Sequence, residues 1–247
     1  MTLSLEKERW SLSHAERADG MRARSGRKLV IELVGPAGAG KTTLLRALGA
    51  SDESIRAGVR VDRRRDLPLV LRHSPEAGGV LLAALGRDVR AGWSAAVHLL
   101  RLNVLLSIAS RPDHGATRAV ILDEGPTFIL TRLAAFPDRQ IAEAAFESAW
   151  ERGLRRTSEV LDAIVWLDAP DTVLAQRIRE REKAHRIKRA SDSELRHFLD
   201  HYRATYSHVV DRIAAAGPTR VLRFDTSRRS TDRLLRQLTR VIAGQHD

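Results

Sequence analysis

The chain has 247 residues, a formal net charge of +11 and no cysteine, which excludes disulfide bonds and metal sites built from thiolates. It carries no uncharged apolar run long enough to span a membrane, and residues 1–25 lack the apolar segment of a signal peptide. We therefore expect a cytoplasmic protein with no membrane partner, long enough to form one α/β domain or two small ones.

The positive charge comes mainly from arginine, because only five of the 42 basic residues are lysine. The arginines are scattered along the chain and do not form one basic segment. An excess of positive charge indicates an anionic partner. Because a phosphate-binding motif follows the first predicted strand, we expect this partner to be a nucleotide, and nucleic acid is the less favoured interpretation.

Residues 1–27 are polar and mixed in charge, which predicts a flexible or loosely docked N-terminal extension before a single domain over residues 28–247. The domain begins with the apolar, β-branched run Leu29–Val34, which is typical of a buried parallel strand. A helix is predicted over residues 41–48. The residues between fit the P-loop pattern G-x-x-x-x-G-K-[ST] and read Gly35-Pro36-Ala37-Gly38-Ala39-Gly40-Lys41-Thr42.

Each part of the P-loop has a chemical role. Glycine lets the backbone close around a phosphate, and successive N–H groups with the helix N-terminus face the anion. Lys41 is expected to reach the β- and γ-phosphates, and the Thr42 hydroxyl is expected to bind Mg²⁺. We assign residues 35–43, with Thr43 at the helix start, to nucleotide binding. The alternative is a glycine turn that only joins strand to helix, and it gives no reason for Lys followed by Thr.

The segment after the first helix carries weaker patterns. Residues 59–62 are predicted to form the second strand, and Pro68 and Pro75 are predicted to mark a loop. Apolar residues at helical spacing over residues 79–110 predict two helices, divided at Gly92.

The third predicted strand, residues 119–124, ends in two carboxylates. Asp123 follows four apolar residues, as in a Walker B strand, and is expected to hold Mg²⁺ opposite Thr42 unless it only caps the next helix. Glu124 either orients an attacking water or meets the acceptor or the metal. Asp62 is a further candidate for the catalytic base, so the base stays open among three carboxylates.

The second half of the chain continues the alternation of helix and strand. Arg177, Arg181 and His185 are four residues apart and fall in one predicted helical row. Arginine forks suit the charge of a transferring phosphoryl group, and the alternative is a solvated helix with internal Glu–Arg pairs. The predicted elements are helices over 126–135 and 138–157, a strand over 160–168, a long helix from Pro170 through the basic run 177–189, a helix over 192–216, a strand over 220–225, and a last helix from a Ser230 cap to residue 243.

Five strands that alternate with helices predict an α/β protein with the P-loop NTPase fold. Its sheet would be a doubly wound, five-stranded parallel sheet with helices on both faces, and an arginine-rich lid helix would follow strand four. Ligands of such sheets bind at the carboxyl ends of the strands. Gly35, Asp62, Asp123 and Asp168 are all predicted to lie at that edge.

These motifs together resemble the thymidylate kinase and deoxynucleoside kinase group of P-loop kinases. The resemblance covers about residues 28–244, with residues 195–206 similar to the helix after the lid and 221–226 similar to the last strand. It rests on the P-loop, the third-strand carboxylate and the arrangement Asp168-Ala169-Pro170…Gln176-Arg177-Ile178-Arg179-Glu180-Arg181.

The resemblance implies that residues 35–42 bind the phosphates of ATP and that residues 225–228 lie near the adenine. It also implies a lid over about residues 177–192, in which Arg177 and Arg181 clamp the transferring phosphate. This group carries Asp-Arg or Glu-Arg-Ser at the end of the third strand, where this chain has Asp123-Glu124-Gly125-Pro126, so the acceptor stays open. The pair His185 and Lys188 is not a general feature of the group.

The sequence therefore predicts an ATP- and Mg²⁺-dependent kinase that transfers the γ-phosphoryl group to a small acceptor. The acceptor is a nucleoside, a nucleotide or another hydroxylated metabolite. The alternative is a P-loop ATPase or switch that acts with a protein partner, which the adjacent carboxylates Asp123 and Glu124 also suit. The apolar helix at residues 95–108 offers a face for a homodimer.

Overall fold

A computed structural model describes residues 27–62, 64–83, 89–112, 117–134, 143–181 and 187–244. Five parallel strands form one sheet in the order β2-β3-β1-β4-β5, which confirms the predicted fold class. In chain order the elements are β1 (Leu29–Val34), α1 (Lys41–Ser51), β2 (Ile55–Val59), α2 (Leu67–Ala83), α3 (Val89–Ser110), β3 (Ala119–Asp123), α4 (Pro126–Ala134), α5 (Glu143–Val160), β4 (Ala163–Asp168), α6 (Asp171–Glu180), α7 (Asp192–Ala216), β5 (Arg220–Asp225) and α8 (Thr231–Ala243).

The central strand β1 is buried along its whole length, and its side chains alternate between two apolar cores. Val30 and Val34 face the core that α2, α3, α4 and α5 cover, whereas Ile31 faces the core of α1, α6 and α8. Helix α7 contributes to both cores, through Leu199 near its start and Val209 further along. Because helices cover both faces, the polar chemistry is confined to the carboxyl edge of the sheet.

The strands β1, β3, β4 and β5 and the helices α7 and α8 occupy the predicted places. The Ser230 side chain accepts the backbone N–H of Arg233, which confirms it as the cap of α8. Ser191 makes a capping box with Glu194 at the start of α7. Both caps are local sequence signals, which explains why these boundaries were predictable.

The prediction for residues 59–110 was partly wrong. Strand β2 lies at Ile55–Val59, before the predicted segment, and Gly58 at φ +75° makes a bulge against β3. Pro75 lies inside helix α2 and not in a loop, because burial of Ala77 and Val80 holds that helix against its neighbours. Gly92 lies within α3, so it does not divide the helices.

Helix α6 is shorter than predicted. It ends at Glu180, and Arg181 is extended at φ −62° and ψ 133°, so the predicted helical row does not reach Arg181. Residue 160, predicted as the start of strand four, is the last residue of α5. His185, the predicted start of a helix at residue 138 and the extension over residues 1–26 lie outside the described residues.

One stretch of the described residues, Gly92–Ser110, is long and apolar enough to cross a membrane by length and composition. Somewhat more than half of it is buried inside the fold. Leu99, Leu102 and Leu106 on this helix are core residues, as in a central helix of a globular domain. Its apolar character is therefore explained by packing.

Candidate active site

The loop between β1 and α1 takes a conformation that requires glycine. Gly35 has φ +147°, and a Cβ atom there would lie 2.1 Å from the Leu167 carbonyl oxygen at the end of β4. Gly38 and Gly40 also have positive φ, and Gly40 is the N-cap of α1. Gly40 has no side chain to cap the helix, so the first N–H groups of α1 are available to an anion.

Lys41 is held in this loop. Its Nζ donates to the carbonyl oxygens of Gly35 at 2.5 Å and Pro36 at 3.0 Å. The pKa of Lys41 is lowered to about 8, mainly by burial and also by the charge of Arg181, against the opposing charges of Asp123, Glu124 and Asp168. These effects show that the carboxyl ends of β3 and β4 bring their charged groups together around the P-loop lysine.

A cleft of about 460 Å³ opens above the loop. The predicted nucleotide-binding residues 37–43 line it, together with both predicted lid arginines, Arg177 and Arg181. Of residues 225–228, which were predicted to lie near the adenine, Thr226 lines the cleft. Asp225 instead accepts hydrogen bonds from Ser227 in a turn. The opposite wall comes from the start of α8, namely Arg229, Ser230, Thr231 and Leu234.

The two lid arginines have different environments. The Arg177 guanidinium donates to the Gly38 carbonyl at 3.3 Å and to the hydroxyl and carbonyl of Thr226 at 2.9 and 3.0 Å. It therefore joins the P-loop to the β5–α8 turn. Arg181 follows the end of α6, where Lys188 donates to its carbonyl oxygen, and its side chain faces the cleft. Of the two lid arginines, Arg181 is the one whose charge lowers the pKa of Lys41.

The two carboxylates after β3 are each paired with an arginine. Asp123 Oδ2 accepts from Arg60, just beyond β2, at 2.8 Å, and the Asp123 side chain is largely buried. Glu124 lies 3.5 Å from Arg101 of α3 and is half exposed. Glu124 also has φ +55°, which is uncommon for a residue with a side chain and is typical of functional turns.

The other two carboxylates at this edge are structural. Asp62 accepts the backbone N–H groups of Arg64 and Arg65, and these bonds lower its pKa, as expected for a turn cap. Asp168 is held by two hydrogen bonds from Arg203, which also reaches Asp171 at the start of α6. Asp62 and Asp168 therefore orient the backbone around the site.

Thr42 and Asp123 are the oxygen donors at this edge that would suit Mg²⁺. Thr42 is exposed in the first turn of α1, and Asp123 presents a carboxylate at the neighbouring strand end. Mg²⁺ usually takes one or two such protein oxygens and completes its shell with phosphates and water. Among the described residues no group of three or more acidic or histidine side chains forms a separate metal site.

Sequence reasoning missed three contributors to this edge, Arg60, Arg203 and Glu32. Glu32 carried a usable signal, because it is the only charged residue in the apolar strand β1 and it is fully buried. Arg60 and Arg203 carried none, since each is one of many scattered arginines and only the fold selects their carboxylate partners.

Solved structures with a similar fold include the YorR protein from Bacillus subtilis in complex with phosphorylated GDP, at 17% identity and a TM-score of 0.47, covering 87% of this chain and 95% of that chain. Shikimate kinase from Bacteroides thetaiotaomicron is 16% identical with a TM-score of 0.47, covering 87% and 98%. Deoxyadenosine kinase from M. mycoides, with products dCMP and dCDP bound, is 10% identical with a TM-score of 0.47, covering 87% and 99%. At these values the likeness extends to the fold alone.

No match is found among curated proteins. The sequence profile of one family, described as the AAA domain, does match, and it spans residues 30–205, from within β1 to within α7. The match contains the P-loop, both carboxylates after β3 and both lid arginines. Because it covers more than half of the chain, the protein belongs to the AAA domain family.

Proposed function

We propose that this protein is a P-loop kinase that transfers the γ-phosphoryl group of ATP, with Mg²⁺, to a small hydroxyl or phosphate acceptor. One observation carries the proposal. Lys41 of the P-loop lies within the electrostatic reach of Asp123, Glu124 and Arg181 beside an open cleft. Phosphoryl transfer needs this set of groups, namely a lysine on the phosphates, a carboxylate for the metal and an arginine for the developing charge.

In this proposal the P-loop amides and Lys41 hold the β- and γ-phosphates, and the adenine of the nucleotide lies between Arg177 and the start of α8. Thr42 and Asp123 would hold Mg²⁺, which would supply positive charge to neutralise the phosphates. Arg181 lines the cleft, and its guanidinium fork would stabilise the transferring group. Arg177 is already hydrogen-bonded in the cleft wall, so we assign it to nucleotide binding.

Glu124 is the carboxylate that we propose to meet the acceptor as general base. Asp62 is committed to a turn and Asp123 to the metal, whereas Glu124 is half exposed at the end of β3. A base must reach the acceptor hydroxyl, and its accessible position favours this. The acceptor would lie over the ends of β2 and β3, near Arg60 and Arg101.

We retain the thymidylate kinase and deoxynucleoside kinase group as the proposed subclass. Those kinases carry an arginine directly after the third-strand carboxylate, where this chain has Glu124. Arg60 supplies an arginine to the same place from the neighbouring strand, 2.8 Å from Asp123. An arginine that comes from a different position in the chain supports an acceptor site with the same charges and a different shape.

The test is incubation of the protein with ATP, Mg²⁺ and a pooled metabolite extract, followed by mass spectrometry. The expected result is a new phosphorylated species that is absent with Lys41→Ala. In the wild-type protein the Lys41 side chain donates to loop carbonyls, so its removal should leave the fold intact. ATP hydrolysis that does not depend on any small acceptor, and that rises with a protein partner, would replace the kinase proposal by the ATPase or switch alternative.

We also propose a homodimer, in the cytoplasm where ATP is supplied, although its face differs from the expected one. Helix residues 95–108 are mostly core. The exposed large apolar side chains of the described residues all lie on α2 and α3, at spacings that form two stripes. These residues are Leu67, Leu71, Leu82, Val89, Trp93 and Val97.

Light scattering tests this dimer. The wild-type protein is expected to have the mass of two chains, and Trp93→Asp, at a side chain 62% exposed, is expected to give one chain with unchanged folding. A monomeric wild-type protein at high micromolar concentration would exclude a second copy as the occupant of this face.

A further inference from the structure

Glu32 is a buried carboxylate in the middle of the central strand. Its neighbours Ile31 and Leu33 are apolar core residues, and Glu32 itself is 0% exposed. Its Oε2 accepts the backbone N–H of Thr127 at 2.8 Å, and its Oε1 accepts that of Phe128 at 3.1 Å. Both amides lie in the first turn of α4, so β1 caps this helix from across the core.

The turn that carries the active-site carboxylates packs directly on this side chain. A Cβ atom at Gly125 would lie 2.7 Å from Glu32 Cδ, so any larger residue there would displace the Glu32 carboxylate. Glu124, one residue earlier, has the left-handed φ of +55°. Such a backbone is strained and persists only where its surroundings hold it. The Glu32 carboxylate is the group that the turn contacts.

A tyrosine that feels the charge of Glu32 supports the start of the P-loop. The Tyr202 hydroxyl donates to the Gly35 carbonyl at 2.6 Å, and it accepts the Gly35 N–H at 3.3 Å. Tyr202 stacks on Tyr206 with ring centroids 4.1 Å apart. Burial raises the pKa of both phenols, and the charge of Glu32 contributes in the same direction. The charge of Glu32 therefore reaches the tyrosine support of the P-loop, while its oxygens contact the start of α4.

The electrostatics agree with a carboxylate that has a purpose other than packing. Burial raises the pKa of Glu32 to about 7, while hydrogen bonds from residues 125–128 lower it. A leucine at this position would avoid the desolvation cost. The carboxylate is instead compensated by amides of the turn that holds Asp123 and Glu124.

We propose that Glu32 is the positioning residue for the active-site carboxylates: from the central strand it fixes the first turn of α4, and so the direction of Asp123 and Glu124. The inference rests on the proposed function, in which Asp123 holds Mg²⁺. Replacing a residue that orients a metal ligand typically changes metal affinity or activity by about 10–100-fold.

The experiment compares Glu32→Gln with the wild-type protein. Glutamine keeps the shape, but its amide group meets a backbone N–H with a donor, so one bond to α4 is lost. The first readout is Mg²⁺-dependent binding of a fluorescent ATP analogue, which needs no acceptor. We expect the Mg²⁺ concentration for half-maximal binding to rise about tenfold or more, with metal-free nucleotide binding within about twofold of wild type.

Thr131→Val is the matched control. Thr131 is buried in α4 and donates to the Thr127 carbonyl at 2.8 Å, so its loss weakens the same helix without touching Glu32. The control is expected to lower the melting temperature and leave the Mg²⁺ requirement unchanged. Glu32→Gln with a lowered melting temperature and a normal Mg²⁺ requirement overturns the positioning role and leaves only a helix cap.

The outcomes separate this inference from the proposed function. If the wild-type protein binds the analogue with Mg²⁺ but phosphorylates no acceptor, the kinase proposal fails while the comparison of Mg²⁺ requirements still decides the role of Glu32. If Mg²⁺ has no effect on nucleotide binding by the wild-type protein, Asp123 holds no metal and the inference fails as well.

Discussion

Replacement of Lys41 by methionine is expected to make the nucleotide-free protein more stable while it removes nucleotide binding. Lys41 is a partly buried cation whose Nζ donates to the carbonyl oxygens of Gly35 and Pro36. Its pKa falls from the ordinary 10.5 to about 8, because burial disfavours the charged form. Methionine is similar in length and carries no charge, so the folded protein no longer bears that cost.

The magnitude follows from the pKa. A shift from 10.5 to about 8 corresponds to about 3–4 kcal/mol at roughly 1.4 kcal/mol per pKa unit. The Pro36 carbonyl loses a hydrogen bond worth about 1 kcal/mol, whereas the Gly35 carbonyl keeps its bond from Tyr202. The open cleft lets water reduce the burial cost further. A net gain of about 1–2 kcal/mol at pH 7 remains.

The pH dependence of the stability difference tests whether the buried charge is its cause. Below pH 8 the lysine is charged in both the folded and the unfolded protein, so the cost of burying it is fully present. Between pH 8 and 10.5 the folded protein binds fewer protons than the unfolded one, and the wild-type protein gains stability as the pH rises. The advantage of Lys41→Met should therefore shrink across this range.

Urea denaturation of both proteins at pH 7 and pH 9.5, without nucleotide, measures the free energy of unfolding. With Mg²⁺ and ATP at pH 7 the order should reverse, because only the wild-type protein gains binding energy. A variant that is less stable than wild type at pH 7, or whose advantage is the same at both pH values, would refute the assignment of a buried, charged Lys41.

Replacements at four further residues test the active site and its structural supports. Asp123→Asn should raise the Mg²⁺ requirement of turnover much more than it weakens metal-free nucleotide binding, and a normal Mg²⁺ titration would reduce Asp123 to a partner of an arginine. Arg181→Ala should lower kcat and kcat/KM together by about 10²–10³-fold, and Arg181→Lys should not restore them fully. Arg177→Ala should instead act mainly on the KM for ATP. Equal kcat values for Arg181→Ala and wild type in steady-state kinetics would contradict the role of Arg181 in stabilising the transferring group. Arg203→Ala leaves Asp168 without its two hydrogen bonds and should lower the free energy of unfolding by about 2 kcal/mol, and a loss below about 0.5 kcal/mol in urea denaturation would show that the pair is not structural.

Local patterns were sufficient for much of the fold. Strand β1 was predictable because its apolar run is buried on both faces, and α8 because Ser230 caps it. The patterns failed where packing overrules propensity, as at Pro75 inside α2. They also failed at Gly58, whose bulge depends on pairing with β3, and at Glu180, where α6 ends early.

The sequence by itself determined the P-loop, because the loop needs glycine, lysine and threonine at fixed neighbouring positions, and it determined the parallel order of strand and helix. The tertiary structure alone decided the partners of the charged groups. Arg60 meets Asp123 across 63 residues, and Glu32 meets Thr127 across 95. Periodicity describes one element at a time, whereas these contacts depend on which strand ends lie side by side in the sheet, and that order is a property of the whole fold.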